Sequence, residues 1–215
     1  MFEEVLSKNT KNSLGSLGQS GLLKSAYLAG GTALALQLDH RYSYDFDFFT
    51  PEKFDEGILV QRISEAFPEF SLERKDWGTI LGYLGEIRFS LFFYKYPLLF
   101  KSHKFLGINI ADIKDIAAMK IAAIADRGTK RDFIDLYYIF NEKKIMTLEK
   151  SLKLYDKKFK VLSQNKIHIL KSLVYFENAD RDKSPKMIKL VSWPKVKEFF
   201  INEQKRLTEK LLTFE

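Results

Sequence analysis

The sequence predicts an α/β (α+β) fold in which a mixed sheet comes first and a helical C-terminal part follows. Three observations predict this fold. Residues 26–50 follow a strand, turn, helix, strand pattern, and residues 70–96 have the pattern of an antiparallel meander. From Asp112 onward, apolar residues recur at helical spacing. We therefore divide the chain into a core, residues 1–110, and a helical region, residues 111–215.

The composition excludes several classes of protein. The chain has 215 residues and no cysteine, so it has no disulfide framework, no thiolate metal site and no thiol nucleophile. No apolar run approaches the ~20 residues that cross a bilayer, and the first residues lack the apolar segment of a signal peptide. We expect a cytoplasmic protein that does not associate with a membrane.

The net charge of +7 is concentrated in the last third of the chain. Residues 1–140 contain 17 Lys/Arg and 18 Asp/Glu, a net charge of −1, whereas residues 141–215 contain 18 and 10, a net charge of +8. Such an excess is typical of proteins that bind a polyanion such as RNA. A solvated, lysine-rich helical surface explains the same charge equally well.

The first elements follow from local patterns. Residues 7–21 are rich in Ser, Asn and Gly, and we expect a mobile loop there. Residues 26–29 predict a short strand that ends in the turn Gly30-Gly31. Residues 32–38 are good helix formers, and the hydroxyl of the first of them is placed to cap the helix.

The rest of the sheet follows from alternation and from its breaks. Residues 42–49 alternate polar and aromatic side chains, which predicts a strand. Residues 58–67 predict an amphipathic helix that Pro68 ends. The expected breaks in the meander are at Trp77-Gly78, Gly82 and Gly85.

The helical region divides at Gly128-Thr129, which breaks the pattern between two predicted helices. The helices are expected at these residues: 112–126, 130–140, and near 147–158, 164–178 and 193–211.

Asp45 and Asp47 are the first candidate functional residues. Side chains at positions i and i+2 lie on one face of a strand, about 6–7 Å apart, while Phe46 and Phe48 face the other side. Two carboxylates on a rigid strand can bind divalent cations, which suit in-line displacement at phosphorus. The alternative is two solvated acids on an ordinary half-buried strand.

The segment Gly30-Gly31-Thr32 lies just upstream, at the start of a predicted helix. Glycines let backbone N–H groups approach an anion, and a helix N-terminus favours negative charge. A phosphate bound here would place its neighbour against a metal on Asp45 and Asp47. A glycine pair by itself is more often a tight turn, so the combination is the specific signal.

A third candidate group lies on the two helices after residue 111. Lys120 and Arg127 fall on one helix face and can point together toward a triphosphate. Arg131 and Asp135 are an i,i+4 pair that stabilises a helix by a few tenths of a kcal/mol. A salt-bridged helical hairpin is the alternative interpretation of the whole region.

The motifs together resemble those of one protein family. They are Leu28–Leu34, His40–Phe49, Asp115–Lys120 with Arg127, and Arg131–Tyr137. In this order they are similar to the motifs of the AbiEii/AbiGii toxin family, which belongs to the polymerase-β-like nucleotidyltransferase superfamily. The likeness spans residues 26–140, a little over half of the chain.

The resemblance implies a toxin-type nucleotidyltransferase with a polymerase-β-like core. Such an enzyme moves an NMP from an NTP to a hydroxyl acceptor, releases pyrophosphate and uses Mg²⁺ (or Mn²⁺). Asp45 and Asp47 would hold the metal, Lys120 would neutralise phosphate charge, and Asp132 would stand near the metals or act as the base. The implied nucleotide-binding residues are Gly30, Gly31, Thr32, Arg41, Ser43, Arg127 and Arg131.

The resemblance also implies partners. RNA, and tRNA in particular, is the expected acceptor, and a cognate antitoxin is expected for a toxin of an abortive-infection system. Transfer to a protein hydroxyl and a non-catalytic nucleotide- or RNA-binding regulator remain alternatives. The second is kept because Ser90 stands where the superfamily usually has a third metal carboxylate. Either Glu86 or Asp132 replaces that acid, or the second metal is weakly held.

Overall fold

The computed structural model describes residues 1–212. The chain forms two compact units, Met1–Asp112 (unit 1) and the residues from Ile113 onward (unit 2). Unit 1 contains a seven-stranded mixed sheet with helices, and the described part of unit 2 is helical. The predicted fold class, a mixed sheet followed by a helical part, is confirmed.

The segment predicted as a mobile loop is a helix, so that prediction was wrong. After a 3₁₀ turn at Glu3–Val5, helix α1 spans Lys8–Ser20. Ser7 caps it by accepting a hydrogen bond from the Thr10 amide at 3.1 Å. A Cβ on Gly18 would lie 1.9 Å from the Leu106 carbonyl oxygen. This glycine therefore allows a close approach of two backbones and does not mark a flexible segment.

The sheet has the strand order β3-β4-β5-β2-β1-β7-β6. Strand β2 lies at its centre, antiparallel to β1 and parallel to β5, and β3, β4 and β5 form the predicted antiparallel meander. The strands are β1 Tyr27–Leu28, β2 Phe46–Thr50, β3 Phe70–Asp76, β4 Thr79–Leu84, β5 Ile87–Phe93, β6 His103–Phe105 and β7 Ile108–Ile110.

Three details of the sheet differ from the sequence prediction. Strand β2 begins at Phe46 rather than at residue 42, and the short strands β6 and β7 were not predicted. Gly82 does not break the meander but lies inside β4. A Cβ at this position would come within 2.4 Å of the Ser71 carbonyl oxygen on β3, so the glycine lets the two strands pair closely.

The two faces of the sheet are different. The core face carries buried side chains, among them Phe48 and Phe89, whose ring centroids are 5.8 Å apart. Helix α2, Gly30–Leu38, packs against β2, and helix α3, Glu56–Ala66, packs against β3 and β4. Asp47 alternates with the buried residues of β2 and lies on the opposite face. We call this the Asp47 face.

Unit 2 consists of helices around an aromatic core. Helix α4 packs against α5, α6 and α7, and α5 packs against α8 and α9. A buried ion pair between Asp115 and Lys158, 2.9 Å apart, joins α4 to α6. The ring of Phe133 packs against those of Phe176, Trp193 and Phe200. The helices are α4 Ile113–Asp126, α5 Lys130–Tyr137 with a π-helical continuation Tyr138–Glu142, α6 Leu148–Phe159, α7 Leu162–Ser172, α8 Glu177–Arg181 and α9 Trp193–Leu212.

Most of the predicted helices of this unit are present close to the expected bounds. The segment 164–178 was predicted as one helix, but α7 ends at Ser172 and α8 begins at Glu177. No helix in residues 1–212 combines the length and the apolar character that crossing a membrane requires.

Candidate active site

Helix α2 begins directly after β1, and its N-cap residue supplies no side-chain cap. Its N-cap residue is Ala29, which makes no side-chain cap hydrogen bond. Thr32 was expected to cap the helix, but the helix starts two residues earlier, at Gly30. The first N–H groups of a helix have no partner within it and carry partial positive charge. This helix end is therefore suited to bind an anion.

The carboxylate of Asp47 lies against this helix end. Gly30 has φ of +67°, and a Cβ built on it would be 2.7 Å from Asp47 Oδ2. The Ala29 amide donates to the Asp47 carbonyl oxygen at 3.0 Å. A side chain at position 30 would collide with the carboxylate, so the glycine is required both for its backbone conformation and for space.

A second close packing surrounds Gly31. A Cβ at this position would lie 2.4 Å from an Nη atom of Arg41 and 3.0 Å from Ser43 Oγ. Arg41 is 3% exposed, and its guanidinium donates to the Tyr42 carbonyl oxygen at 3.1 Å. The structure therefore brings the predicted nucleotide-binding residues of unit 1 together around the first turn of α2.

The hydroxyl of Thr32 connects this turn to the segment before β2. Thr32 Oγ1 lies 2.5 Å from the Asp45 carbonyl oxygen and 3.1 Å from Ser43 Oγ. Thr32 is 1% exposed, so its hydroxyl orders the segment that carries Asp45. The resemblance implied Thr32 as a nucleotide-binding residue, and because its hydroxyl is engaged within the protein, its backbone amide is the group suited to that role.

Asp45 and Asp47 are the two carboxylates of unit 1 that could hold a small divalent cation. Mg²⁺ prefers oxygen ligands. In proteins it is usually bound by one or two carboxylates together with substrate phosphate oxygens and water. Asp45 lies immediately before β2, and the Asp45 carbonyl is held by Thr32. Among the described residues, no group of three or more His, Cys, Asp or Glu side chains is placed to hold a metal ion.

Ser90, predicted to stand where the superfamily has a third metal carboxylate, lies beside Asp47. Ser90 on β5 is in register with Asp47 on β2, so the two side chains are neighbours on one face. Glu86 lies in the turn before β5 and is exposed. Four residues along a strand separate it from Ser90, about 13 Å, and this distance argues against Glu86 as the replacement ligand.

In unit 2, the predicted residues Lys120, Arg127 and Asp132 form one ion-pair cluster. Lys120 Nζ lies 2.7 Å from both Asp132 Oδ1 and Asp135 Oδ2, and its side chain is 5% exposed. Arg127 Nε donates to Asp132 Oδ2 at 3.1 Å. Sequence reasoning missed Asp135 as a partner of Lys120, although its spacing of three residues from Asp132 places both on one helix face.

The contacts of Asp132 favour a role other than a general base. Its burial alone would raise its pKa, but the charges and hydrogen bonds of Lys120 and Arg127 outweigh burial and hold the pKa well below its usual range. Thr129 Oγ1 also donates to Asp132, at 2.6 Å. A carboxylate with a lowered pKa is a weak base. We therefore interpret Asp132 as the residue that positions the ammonium group of Lys120 and the guanidinium group of Arg127.

The two cations of this cluster, Lys120 and Arg127, differ in exposure. Lys120 is almost fully buried, whereas the Arg127 side chain is 52% exposed. Arg131, on the first turn of α5, is also exposed. Of these predicted cations, Arg127 and Arg131 are therefore accessible to a phosphate, and Lys120 supports Arg127 from inside the unit.

Comparison with known proteins identifies the family. A model of the family described as "Nucleotidyl transferase AbiEii toxin, Type IV TA system" matches residues 13–82 and 83–208. The chain belongs to the AbiEii toxin family. It is therefore a nucleotidyltransferase of the toxin type, and membership of a type IV toxin–antitoxin system implies an antitoxin as its partner.

Relatives of this AbiEii toxin agree with the assignment of the fold. An uncharacterised protein of Aquifex aeolicus (strain VF5) is 41% identical over 207 residues, which cover 95% of this chain and 98% of the relative. JHP933 from Helicobacter pylori is similar in structure, with 17% identity, a TM-score of 0.52 and 97% of each chain covered. The nucleotidyltransferase toxin MenT4 from Mycobacterium tuberculosis H37Rv is 17% identical with a TM-score of 0.53, covering 91% of this chain and 84% of MenT4. At such identity these two structures establish the fold alone.

Replacing Gly30 with Ala tests the packing around Asp47. We expect Gly30→Ala to lose stability, since a left-handed backbone costs an L-residue about 1–2 kcal/mol and the new methyl group displaces the carboxylate. Gly15→Ala is the control, because Gly15 lies within α1 and a Cβ there meets nothing within 4 Å. That control should gain about 1 kcal/mol. Thermal unfolding followed by circular dichroism measures both, and equal melting temperatures for the two variants would contradict the packing.

Proposed function

We propose that this AbiEii toxin transfers an NMP from an NTP to a hydroxyl of RNA, with a divalent cation at Asp45 and Asp47. The observation that carries the proposal is the carboxylate of Asp47 against Gly30, at the uncapped start of α2. A phosphate-binding helix end and a metal-binding carboxylate side by side are the two parts that phosphoryl transfer needs.

The residues of unit 1 have separate roles in this reaction. The amides of Gly30 and Gly31 bind the β- and γ-phosphates, and Arg41 and Ser43 order the turn that presents them. Mg²⁺ or Mn²⁺, when bound by Asp45 and Asp47, supplies charge neutralisation on the phosphates. Within unit 2, Asp132 keeps the accessible guanidinium of Arg127 in place, and Lys120 holds Asp132 from the buried side.

The transfer step needs no covalent intermediate with the protein. The acceptor oxygen forms a bond to the α-phosphorus while the bond from that phosphorus to the β-phosphate oxygen breaks. The proton of the hydroxyl goes to water or to a base, and pyrophosphate leaves. The chain positions the two reactants and excludes misaligned attack.

The surface of α6 supports RNA rather than protein as the acceptor. Four exposed lysines follow one face of α6 and its C-cap over about 15 Å; they are Lys150, Lys153, Lys157 and Lys160. We call them the α6 lysine stripe. Glu149, the acid beside it, pairs with Lys153 of the stripe at 3.6 Å and also with Lys210 at 2.8 Å and Arg206 at 3.8 Å. Because three cations share this one carboxylate, the stripe remains positive overall, which suits a row of phosphates.

Reversing the charge of this stripe is expected to weaken RNA binding and its dependence on salt. In the variant Lys150→Glu, Lys153→Glu, Lys157→Glu, the slope of log affinity against log salt should fall by about 2. The control applies the same charge change to three exposed lysines of unit 1, Lys53, Lys75 and Lys101. Fluorescence anisotropy of labelled total tRNA gives both slopes. Equal losses in the two variants would assign the effect to net charge alone.

The acceptor is identified by a labelling experiment. The purified toxin is incubated with Mg²⁺ and each α-labelled NTP in turn, with total RNA, total tRNA or a cell lysate as the acceptor. Label in tRNA supports the proposal and identifies the nucleotide. Label in protein bands would show that the acceptor is a protein hydroxyl and not RNA. NTP binding without any transfer would favour a non-catalytic regulator.

A further inference from the structure

Asp47 has different neighbours on its two sides within the sheet. On one side lies β1, followed at once by Gly30 and the start of α2, where the carboxylate meets the glycine. On the other side lies β5, with Ser90 in register with Asp47, and beyond β5 lies β4. The helix end proposed to bind the anion is therefore on the β1 side of Asp47, and three further strands, β5, β4 and β3, lie on the opposite side.

In-line transfer places the acceptor on the side opposite to the leaving group. With the β- and γ-phosphates at the start of α2, pyrophosphate leaves on the β1 side of Asp47. The attacking oxygen then approaches the α-phosphorus from the other side, over β5 and β4. Neighbouring strands are about 4.8 Å apart, so β4 lies within the reach of a nucleotide bound next to Asp47.

The register identifies the side chains that an acceptor meets there. Tyr83 on β4 is paired with Arg88 on β5, and Arg88 is two residues before Ser90. Alternation along each strand puts these side chains on the Asp47 face, with Arg88 about 7 Å from Ser90. Tyr83 is 39% exposed and Arg88 is exposed.

The opposite end of β5 is less suited to an acceptor. Two residues after Ser90, Phe92 is half-buried, and its ring lies 5.4 Å from that of Phe49. These rings are already packed against each other, whereas Tyr83 and Arg88 present an open ring beside a cation.

We propose that Arg88 and Tyr83 bind the acceptor RNA strand next to the reacting hydroxyl, Arg88 at a phosphate and Tyr83 by stacking on a base. This proposal rests on the proposed function, because the side of approach follows from in-line transfer. A guanidinium binds phosphate through two parallel hydrogen bonds, and a tyrosine ring stacks on any base. A phosphate and a base together are the unit of single-stranded nucleic acid, which selects RNA over a protein acceptor.

The test compares two double variants with the same residue types. Arg88→Ala, Tyr83→Ala removes the proposed pair. The control Lys95→Ala, Tyr96→Ala removes another cation and tyrosine of unit 1, in which the Lys95 ammonium lies 5.4 Å from the centre of the Tyr96 ring. Each protein is measured twice: by anisotropy with a short fluorescein-labelled single-stranded RNA in the absence of NTP, and by transfer from α-labelled NTP to total tRNA.

We expect the first variant to bind the labelled RNA about 5- to 150-fold more weakly than the wild type, the range of one base stack. Its KM for tRNA rises correspondingly, its KM for NTP is unchanged, and the control behaves as the wild type. Tyr83→Phe retains the ring and should retain RNA binding, which separates stacking from loss of the fold.

Three results would overturn the proposal. The Arg88, Tyr83 variant could bind RNA as tightly as the wild type, or the Lys95, Tyr96 control could lose as much RNA affinity as that variant. The third result is an Arg88, Tyr83 variant whose KM is raised for NTP and not for tRNA. If the wild type transfers label to no acceptor, the proposed function fails by itself. The anisotropy measurement, which needs no turnover, then still decides whether this pair binds RNA.

Discussion

Asp47→Asn is expected to lower kcat/KM for nucleotidyl transfer by about 10³-fold or more. The change keeps the shape of the side chain and removes the negative charge that would bind a metal ion. The side chain still fits beside Gly30, where the carboxylate of Asp47 lies in the wild type. Transfer of α-labelled NTP to the identified acceptor measures the effect. Chelation of divalent cations should abolish wild-type transfer, and added Mg²⁺ or Mn²⁺ should restore it.

The control for this substitution is Asp76→Asn, which removes the same charge from an exposed aspartate at the end of β3. It should transfer label at the wild-type rate. An Asp47→Asn variant that stays within tenfold of the wild type, or a loss shared by the Asp76 variant, would remove Asp47 from the reaction.

Asp132→Asn is expected to destabilise the protein by about 3 kcal/mol, because it leaves buried Lys120 with one carboxylate instead of two. The matched control is Asp126→Asn, an exposed aspartate on the last turn of α4. Urea unfolding followed by circular dichroism measures both, and the control should lie within about 0.5 kcal/mol of the wild type. Equal stabilities of the two variants would show that the cluster does not hold unit 2 together.

The pH dependence of this difference has a definite sign. The pKa of Asp132 is lowered on folding, so its contribution is present above the unfolded pKa and is lost as the pH falls toward the folded one. The difference in free energy of unfolding between the wild type and Asp132→Asn should therefore be constant between about pH 5 and pH 8 and should decrease below about pH 4.

Local patterns predicted the elements whose signal is local. The alternation around Asp47 correctly predicted a strand, and the helical spacing after residue 112 correctly predicted a helix. In both segments the apolar residues of the sequence pattern are the ones that the fold buries. Helix α1 was missed because its glycines and polar residues read as a loop. The reason for Gly18 lies almost ninety residues away, at the Leu106 carbonyl, and no local pattern contains that contact.

The candidate site divides in the same way. The sequence predicted Asp47 and the glycines beside it as site residues, because their residue types and their order along the chain form a recognisable motif. It did not predict that Lys120 faces two aspartates or that Thr32 bonds the segment before β2. Both facts depend on which side chains are buried together, and burial decides whether a charged group serves a ligand or the fold. The proposed acceptor side rests on the strand order, which only the structure provides.

The hydrogen bond from Thr32 to the Asp45 carbonyl has a consequence for how the site comes apart. It ties the first turn of α2 to the segment that leads into β2, so we expect the proposed phosphate-binding amides and the proposed metal-binding carboxylates to belong to one cooperative unit of local unfolding. We expect the opening of one part to open the other, so that no half-assembled form of the proposed site accumulates.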